Sequence, residues 1–103
     1  MNKLRVLLAD DHPIVRNGLK ALIAGQADME VIAEAGDGHA AVRQAVDLRP
    51  DVAVVDLTMP GLSGAEATAE ILRAAPEVRV LALTAHQDRG YLQLVLKLSL
   101  IHI

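Results

Sequence analysis

A short apolar run near the middle of the chain places the strongest constraint on its fold. Val52–Val55 is apolar throughout, is rich in β-branched residues, and lies between two turn signals that contain proline. Such a run is typical of a strand buried on both faces, as in a parallel sheet covered by helices. It ends at Asp56, and open α/β sheets place their binding crevices at the carboxyl ends of their strands. The stretch 51–64 therefore predicts an inner strand that presents a carboxylate.

The rest of the chain alternates apolar runs with segments of helical periodicity. The predicted strands are Leu4–Ala9, Met29–Ala35, Val52–Val55 and Val78–Leu83. The predicted helices run from Pro13 to a stop at Gly25, from about His39 to Leu48, and from Ser63, which forms a capping box with Glu66, to Ala75. The order β-α-β-α-β-α-β with short connections predicts a doubly wound parallel α/β sheet with helices on both faces.

Helical spacing also predicts which side chains of the helices face the core. In the second helix these are Ala41, Val42, Ala45 and Leu48. In the third helix they are Ile71 and Leu72. Three arginines are interpreted as solvated helix faces, namely Arg16, Arg43 and Arg73. Met29 is expected in the core.

Composition limits the classes of function. The 103 residues suffice for one domain, and the core should be aliphatic because Tyr91 is the only aromatic residue. A formal net charge of −3 argues against nucleic-acid binding by this segment alone. Without cysteine there is no disulfide framework or thiolate site. The N-terminus resembles neither a signal peptide nor a membrane span, so a soluble cytoplasmic protein is expected.

Polar residues follow three of the four predicted strands: Asp10-Asp11, Asp56 and Thr84. The carboxyl ends of parallel strands lie at one edge of a sheet, so these residues are expected to meet. A single aspartate there is often only a helix cap. Three carboxylates that converge repel one another and raise one another's pKa unless a cation lies among them. A cluster of oxygen ligands suits Mg²⁺.

At these residues the chain resembles a bacterial response regulator receiver domain. The matching motifs are Asp10-Asp11, the stretch Asp56-Leu57-Thr58-Met59-Pro60 with Gly64, and Thr84-Ala85. The stretch Asp-Asp-His-Pro-Ile-Val-Arg-Asn-Gly-Leu at 10–19 is similar to the NarL/FixJ subgroup, whose full-length members have a LuxR-type C-terminal helix-turn-helix domain that binds DNA. The resemblance covers roughly residues 4–92 and rests on several spaced motifs, which makes it more specific than one pattern.

The resemblance implies a flavodoxin-like sheet with strand order 2-1-3-4. It implies that Asp56 is the phosphoacceptor for a phosphoryl group from a sensor histidine kinase. It further implies that Asp11 and Asp56 bind Mg²⁺, with Asp10 nearby or acting through water and the backbone carbonyl of Thr58 as another ligand. The Thr84 hydroxyl and the Ala85 N–H would hold phosphoryl oxygens, and the small side chain of Ala85 would leave room for them.

Three further residues lie beside the expected site. His12 and His86 are interpreted as solvated loop residues, since the family requires neither. Gly64 allows two interpretations, a simple helix-start residue or a part of the site.

The end of the chain departs from the family. Too few residues follow Thr84 for the expected fourth helix, a fifth strand ending in a lysine, and a fifth helix. Lys97 follows Thr84 too closely to be that lysine. We therefore expect an incomplete receiver domain at 1–92, an apolar tail at 93–103, and no C-terminal DNA-binding domain. The fourth strand would leave an open sheet edge, which invites self-association.

The predicted function is a phosphoacceptor of a two-component system that regulates transcription through an output domain absent here. A sensor histidine kinase is the expected partner, and DNA would be reached only through the output domain. The chain is not expected to be an enzyme, apart from self-catalysed phosphorylation and dephosphorylation. Two alternatives stay open: a Mg²⁺-dependent phosphatase or hydrolase on a similar sheet, and an interaction module that needs no phosphorylation. Thr58 weakens the first, because such enzymes commonly have a second aspartate at that position.

Overall fold

The four apolar runs form one parallel sheet in the computed structural model, which describes residues 3–57, 59 and 62–83. The strands are β1 (Leu4–Ala9), β2 (Met29–Ala35), β3 (Val52–Asp56) and β4 (Arg79–Leu83). They lie in the order β2-β1-β3-β4, and each neighbouring pair is parallel. The predicted α/β sheet with strand order 2-1-3-4 is confirmed, with β1 and β3 as inner strands.

Local capping signals place the ends of the three described helices. The helices are α1 (Pro13–Ala24), α2 (Gly38–Leu48) and α3 (Gly64–Ala74). Gly25 caps α1, and its N–H donates to the carbonyl oxygen of Ala21 at 3.2 Å. The predicted capping box is present: Ser63 Oγ accepts from the Glu66 N–H at 3.1 Å, and the Glu66 carboxylate accepts from the Ser63 N–H at 3.4 Å. Ser63 and Glu66 thus set where α3 begins, and Gly25 sets where α1 ends.

Alternate side chains of each inner strand enter two cores, one on each face of the sheet. On one face α1 packs against the sheet, and the buried residues are Val6, Leu8, Leu19, Ile23, Met29, Val52 and Val54. On the other face α2 and α3 cover the sheet around Leu7, Ala9, Ala35, Ala41, Ala45, Ala53, Val55, Met59, Ile71, Ala75 and Val78. Apolar residues on both faces explain why β1 and β3 have continuous apolar sequences.

Two predicted core residues are exposed. Leu48 is the last residue of α2 and is 40% exposed, and the helix ends at the next residue, Arg49, which has left-handed backbone geometry (φ 48°). Leu72 is 48% exposed, whereas its neighbour Ile71 is completely buried. Successive helix positions are rotated by about 100°, so Ile71 shares its buried stripe with the residues four positions before and after it, and Leu72 does not.

Predictions for the end of the chain lie outside the described residues. They concern the tail at 93–103, the domain boundary at 92, Lys97, and self-association at the edge beyond β4. All of them stay predictions. Among the helices of the described ranges, none has the length and apolar character needed to cross a bilayer.

Candidate functional site

Two buried carboxylates meet at the carboxyl edge of the sheet. Asp10 directly follows β1, Asp56 is the last residue of β3, and each is only 4% exposed. Ala9 pairs with Val55 in the β1–β3 ladder, so the two aspartates leave adjacent inner strands at the same level. Strands in a sheet are about 4.8 Å apart. Backbone pairing therefore holds together two acids that lie far apart in the sequence.

Asp11 and His12 complete a cluster of four side chains at this edge. Possible ligand atoms of Asp10, Asp11, His12 and Asp56 all lie within 4.8 Å of one another. The His12 Nδ1 atom is 3.0 Å from Asp10 Oδ1, 3.0 Å from Asp11 Oδ1 and 3.5 Å from Asp56 Oδ2. The predicted convergence of the three carboxylates is thus present. His12 is a largely exposed loop residue, as expected, but its ring nitrogen also lies close to all three carboxylates.

The surroundings in the cluster raise the pKa of two of its members, Asp10 and His12. Burial raises the pKa of Asp10 above its usual value, and the negative charge of Asp56 adds to this, while hydrogen bonds from the His12 N–H and ring act in the opposite direction. The hydrogen bond to Asp10, together with the charge of Asp11, raises the pKa of His12. The carboxylates therefore lie where positive charge is favoured.

Arg16 fixes the loop that carries Asp10. One of its guanidinium N–H groups donates to the Asp10 carbonyl oxygen at 2.8 Å, and its Nε atom lies 3.0 Å from a carboxylate oxygen of Glu34. Lys20 lies 3.1 Å from the other oxygen of Glu34. Only 24% of the Arg16 side chain is exposed. The prediction of a solvated Arg16 is wrong, because the side chain connects α1, the site loop and β2.

Gly64, the first residue of α3, packs against the backbone of Asp56 and Leu57 at the end of β3. A Cβ atom at this first position of α3 would collide with the backbone carbonyl of Asp56 and with the Cα atom of Leu57. Only glycine lets the start of α3 approach the end of β3 so closely. Of the two interpretations left open for Gly64, the geometry supports a structural role that also determines the position of the Asp56 backbone.

The donor set fits a divalent cation with oxygen ligands. Asp11 Oδ1 is buried and has no hydrogen-bond partner among the described residues; the nearby His12 Nδ1 does not meet it with hydrogen-bond geometry. A buried carboxylate oxygen without a partner is unfavourable unless a cation or water satisfies it. Together with Asp10 and Asp56 it offers oxygen ligands of the kind that Mg²⁺ prefers.

The remaining predicted site residues are Thr58, Thr84 and Ala85, and they lie outside the described residues, as does His86. Their roles stay predictions. Met59 is described and is 4% exposed, so this part of the motif after Asp56 contributes a buried apolar anchor to the core beside α3.

Comparison with known proteins identifies the family. The family model described as the response regulator receiver domain matches residues 6–102. The chain belongs to this family. Transcriptional regulatory protein LiaR of Bacillus subtilis is 49% identical over 85 residues, which are 82% of this chain and 40% of LiaR. Oxygen regulatory protein NreC of Staphylococcus haemolyticus is 42% identical over 95 residues, which are 91% of this chain and 44% of NreC.

Solved receiver domains share the fold. The signal receiver domain of the putative response regulator NarL from Mycobacterium tuberculosis is 35% identical and superposes with a TM-score of 0.77, covering 94% of this chain and 78% of that one. Both the family and the NarL-type subgroup expected from the sequence motifs are therefore shown. The curated relatives are longer, since this receiver chain spans only 40–44% of LiaR and NreC.

Proposed function

We propose that this chain is the phosphoacceptor of a two-component system and that Asp56 accepts a phosphoryl group from a histidine of a sensor kinase. The observation that carries the proposal is the buried Asp56 carboxylate, which ends an inner strand within reach of Asp10 and Asp11. A carboxylate is ionised at neutral pH and needs no base to act as a nucleophile. One Asp56 oxygen forms a bond to phosphorus while the bond from phosphorus to the histidine nitrogen breaks, which yields an aspartyl phosphate and an imidazole.

The proposed ligands of Mg²⁺ are Asp11, Asp56 and the backbone carbonyl of Thr58, with Asp10 binding directly or through water. Bound Mg²⁺ would supply positive charge to offset the carboxylates and the phosphoryl oxygens. Phosphoryl transfer depends mainly on positioning and charge, and the chain fixes both carboxylate-bearing strand ends through its backbone. We assign the Thr84 hydroxyl and the Ala85 N–H to the phosphoryl oxygens.

The proposed output is control of transcription. LiaR, which shares 49% identity with this chain, is a transcriptional regulatory protein, and the chain matches 40% of its length. In this proposal a C-terminal helix-turn-helix domain binds DNA, a sensor histidine kinase is the upstream partner, and the protein acts in the cytoplasm. The receiver itself catalyses only its own phosphorylation and dephosphorylation.

Labelling with acetyl phosphate tests the phosphoacceptor. With Mg²⁺ present, the intact mass of the chain should increase by one phosphoryl group, and EDTA should prevent the increase. The Asp56→Asn variant should stay unlabelled. Asp47→Asn is the matched control, because Asp47 is an exposed carboxylate of α2 outside the cluster, and this variant should be labelled like the parent chain.

Three results would contradict the proposal in different ways. Labelling of the Asp56→Asn variant would place the acceptor elsewhere. A parent chain that binds Mg²⁺ but is never labelled would favour an interaction module that needs no phosphorylation. Sustained turnover of phosphate esters would favour a phosphatase.

A further inference from the structure

The guanidinium of Arg16 lies between the loop after β1 and the end of β2. Arg16 is the fourth residue of α1, and long helical side chains point back toward the helix N-terminus. One N–H group donates to the Asp10 carbonyl oxygen at 2.8 Å. The Nε atom is 3.0 Å from a Glu34 carboxylate oxygen but makes no hydrogen bond among the described residues, so that contact is electrostatic. The side chain is thus held between two elements.

The Asp10 carbonyl matters because it belongs to the peptide group that joins Asp10 to Asp11. The Asp10 N–H donates to the Ala35 carbonyl oxygen at 3.0 Å, which ties the preceding side of the residue to the end of β2. The hydrogen bond from Arg16 ties the following side. A peptide group is planar, so the direction of its carbonyl sets the position of the next Cα atom. Arg16 thereby orients Asp11.

Glu34 anchors the arginine from β2. Its carboxylate oxygens lie 3.0 Å from Arg16 Nε and 3.1 Å from Lys20 Nζ, and its backbone carbonyl accepts from the Gln44 side chain at 3.1 Å. Residues of α1 and α2 therefore hold the anchor in place. Lys20 shares the carboxylate, but its side chain is 43% exposed and does not contact the Asp10 carbonyl. Of the two cations on Glu34, Arg16 is the one that reaches the site loop.

We propose that Arg16, anchored by Glu34, is a positioning residue that sets the affinity of the phosphoacceptor site for Mg²⁺. The inference rests on the proposed function, in which Asp11 is a metal ligand. Arg16 acts through the peptide group between Asp10 and Asp11 rather than by contact with the ion. Removal of a group that orients a metal ligand commonly lowers metal affinity by about 10–100-fold. The affected step is the binding of Mg²⁺ and not the transfer to Asp56.

Labelling by acetyl phosphate across a range of Mg²⁺ concentrations tests this assignment, and calorimetric titration gives the Mg²⁺ affinity of each variant directly. Arg16→Met should raise the Mg²⁺ concentration for half-maximal labelling by about tenfold, while the labelling rate at saturating Mg²⁺ should return to that of the parent. Arg16→Lys keeps the charge but lacks a planar group that spans Glu34 and the Asp10 carbonyl, so it should resemble Arg16→Met. Lys20→Met is the matched control and should keep the parent value.

Two further variants separate positioning from a general loss of stability. Ile23→Val shortens a buried side chain of the same helix, which lowers stability without removing a contact to the site loop. It should keep the parent dependence on Mg²⁺. Glu34→Gln preserves shape but removes the anchoring charge. It should weaken Mg²⁺ binding in the parent chain and have no further effect once Arg16 is replaced by methionine, because coupled residues are not additive.

Nuclear magnetic resonance gives a readout that needs no metal. In the metal-free chain, Arg16→Met should shift the backbone amide signal of Asp11, because the carbonyl of that peptide group loses a hydrogen bond, and Lys20→Met should leave the signal in place. An unmoved Asp11 signal would overturn the inference. So would a parent-like Mg²⁺ affinity in Arg16→Met, or an equal loss of affinity in Ile23→Val.

The same measurements distinguish this inference from the proposed function. If Asp56 is labelled while Arg16→Met keeps the parent affinity for Mg²⁺, the positioning role alone is refuted. If the parent binds Mg²⁺ but is never labelled, and Arg16→Met weakens that binding, the proposed function alone is refuted. A parent chain that neither binds Mg²⁺ nor becomes labelled would refute both.

Discussion

Charged side chains are paired at the amino end of the sheet, whereas like charges are buried together at its carboxyl end. At the amino end, Asp51 Oδ2 accepts the Arg5 N–H at 2.8 Å, and the Arg5 guanidinium donates to the carbonyl oxygens of Leu48 at 2.8 Å and Arg49 at 2.9 Å. At the carboxyl end, Asp10 and Asp56 are buried beside each other, and the pKa of Asp10 is raised by its burial. Charges at the amino end are paired with groups of opposite polarity, whereas at the carboxyl end two buried carboxylates lie beside each other, an arrangement that favours a bound cation.

Arg49 extends the paired network at the amino end. Its guanidinium lies 2.6 Å from a Glu77 carboxylate oxygen and 3.3 Å from the Ala74 carbonyl oxygen, so it connects the end of α2 to the turn before β4. Exposed pairs of this kind contribute little stability individually. The comparison therefore predicts large effects for substitutions that disturb the carboxyl end and small effects for exposed pairs at the amino end.

Gly64→Ala should disturb the carboxyl end most strongly. The added methyl group collides with the Asp56 carbonyl, so the free energy of unfolding should fall by about 2–3 kcal/mol. Urea denaturation measures this change. Gly25→Ala is the control, since its Cβ would lie at an ordinary 3.5 Å from the Leu22 carbonyl oxygen. Equal stability of the two variants would show that the close contact between α3 and the end of β3 does not contribute to stability.

Arg16→Met should have the next largest effect, because it removes the hydrogen bond to the Asp10 carbonyl and the ion pair with Glu34. We expect a loss of about 2 kcal/mol in thermal or urea denaturation. Arg43→Met, at an exposed position of α2, should change stability by less than about 0.5 kcal/mol. A similar loss in both variants would mean that Arg16 acts only as general surface charge.

Replacing aspartate with asparagine should change the free energy of unfolding in opposite directions at the two ends of the sheet. Because its pKa is raised in the fold, Asp10 contributes stability only while protonated, and this is lost as pH rises through its folded pKa. Asp10→Asn should therefore raise stability at neutral pH in EDTA by about 1 kcal/mol, and Asp51→Asn should lower it by a similar amount. Chemical denaturation of both variants decides the sign. Destabilisation by Asp10→Asn would contradict the contrast between the ends.

Glu77→Gln should have the smallest effect. A hydrogen bond from its own backbone N–H, followed by the hydrogen bond from Arg49, lowers the pKa of Glu77 from its ordinary value of 4.5. Its contribution is present above that ordinary value and is lost as pH falls through the lower folded pKa. The variant should be slightly less stable than the parent at pH 7 and should match it in strong acid. Stability curves against pH would show whether this difference disappears.

Local signals were sufficient for most of the fold. Pro13, Gly25 and the Ser63–Glu66 capping box determine helix ends within a few residues, so the sequence reveals them directly. The expected face of Leu48 was wrong because periodicity does not show where a helix stops facing the sheet. The expected face of Leu72 was wrong because Ile71 lies on the buried stripe and the next position is rotated by about 100° from it. The carboxylate cluster was predictable because parallel topology brings strand ends together.

Contacts across the fold were the part that could not be predicted. The partner of Arg16 is Glu34, on a different element, and the ring of His12 reaches Asp56 on a strand far along the chain. The sequence separation between Arg16 and Glu34, and that between His12 and Asp56, follows no helix or strand period. In the sequence, both Arg16 and His12 therefore resembled ordinary solvated groups. The collision that requires Gly64 likewise depends on the path of the loop between β3 and α3.

The pairing of Ala9 with Val55 has a consequence for how such a site can persist as sequences diverge. The distance between the Asp10 and Asp56 backbones is set by peptide groups, which are the same in every protein. Surface loops, helix faces and even the residues of the outer strands can change without altering that distance. Divergence then has to preserve Asp10, Asp56 and the glycine at position 64 that lets α3 approach Asp56, while backbone pairing maintains the register.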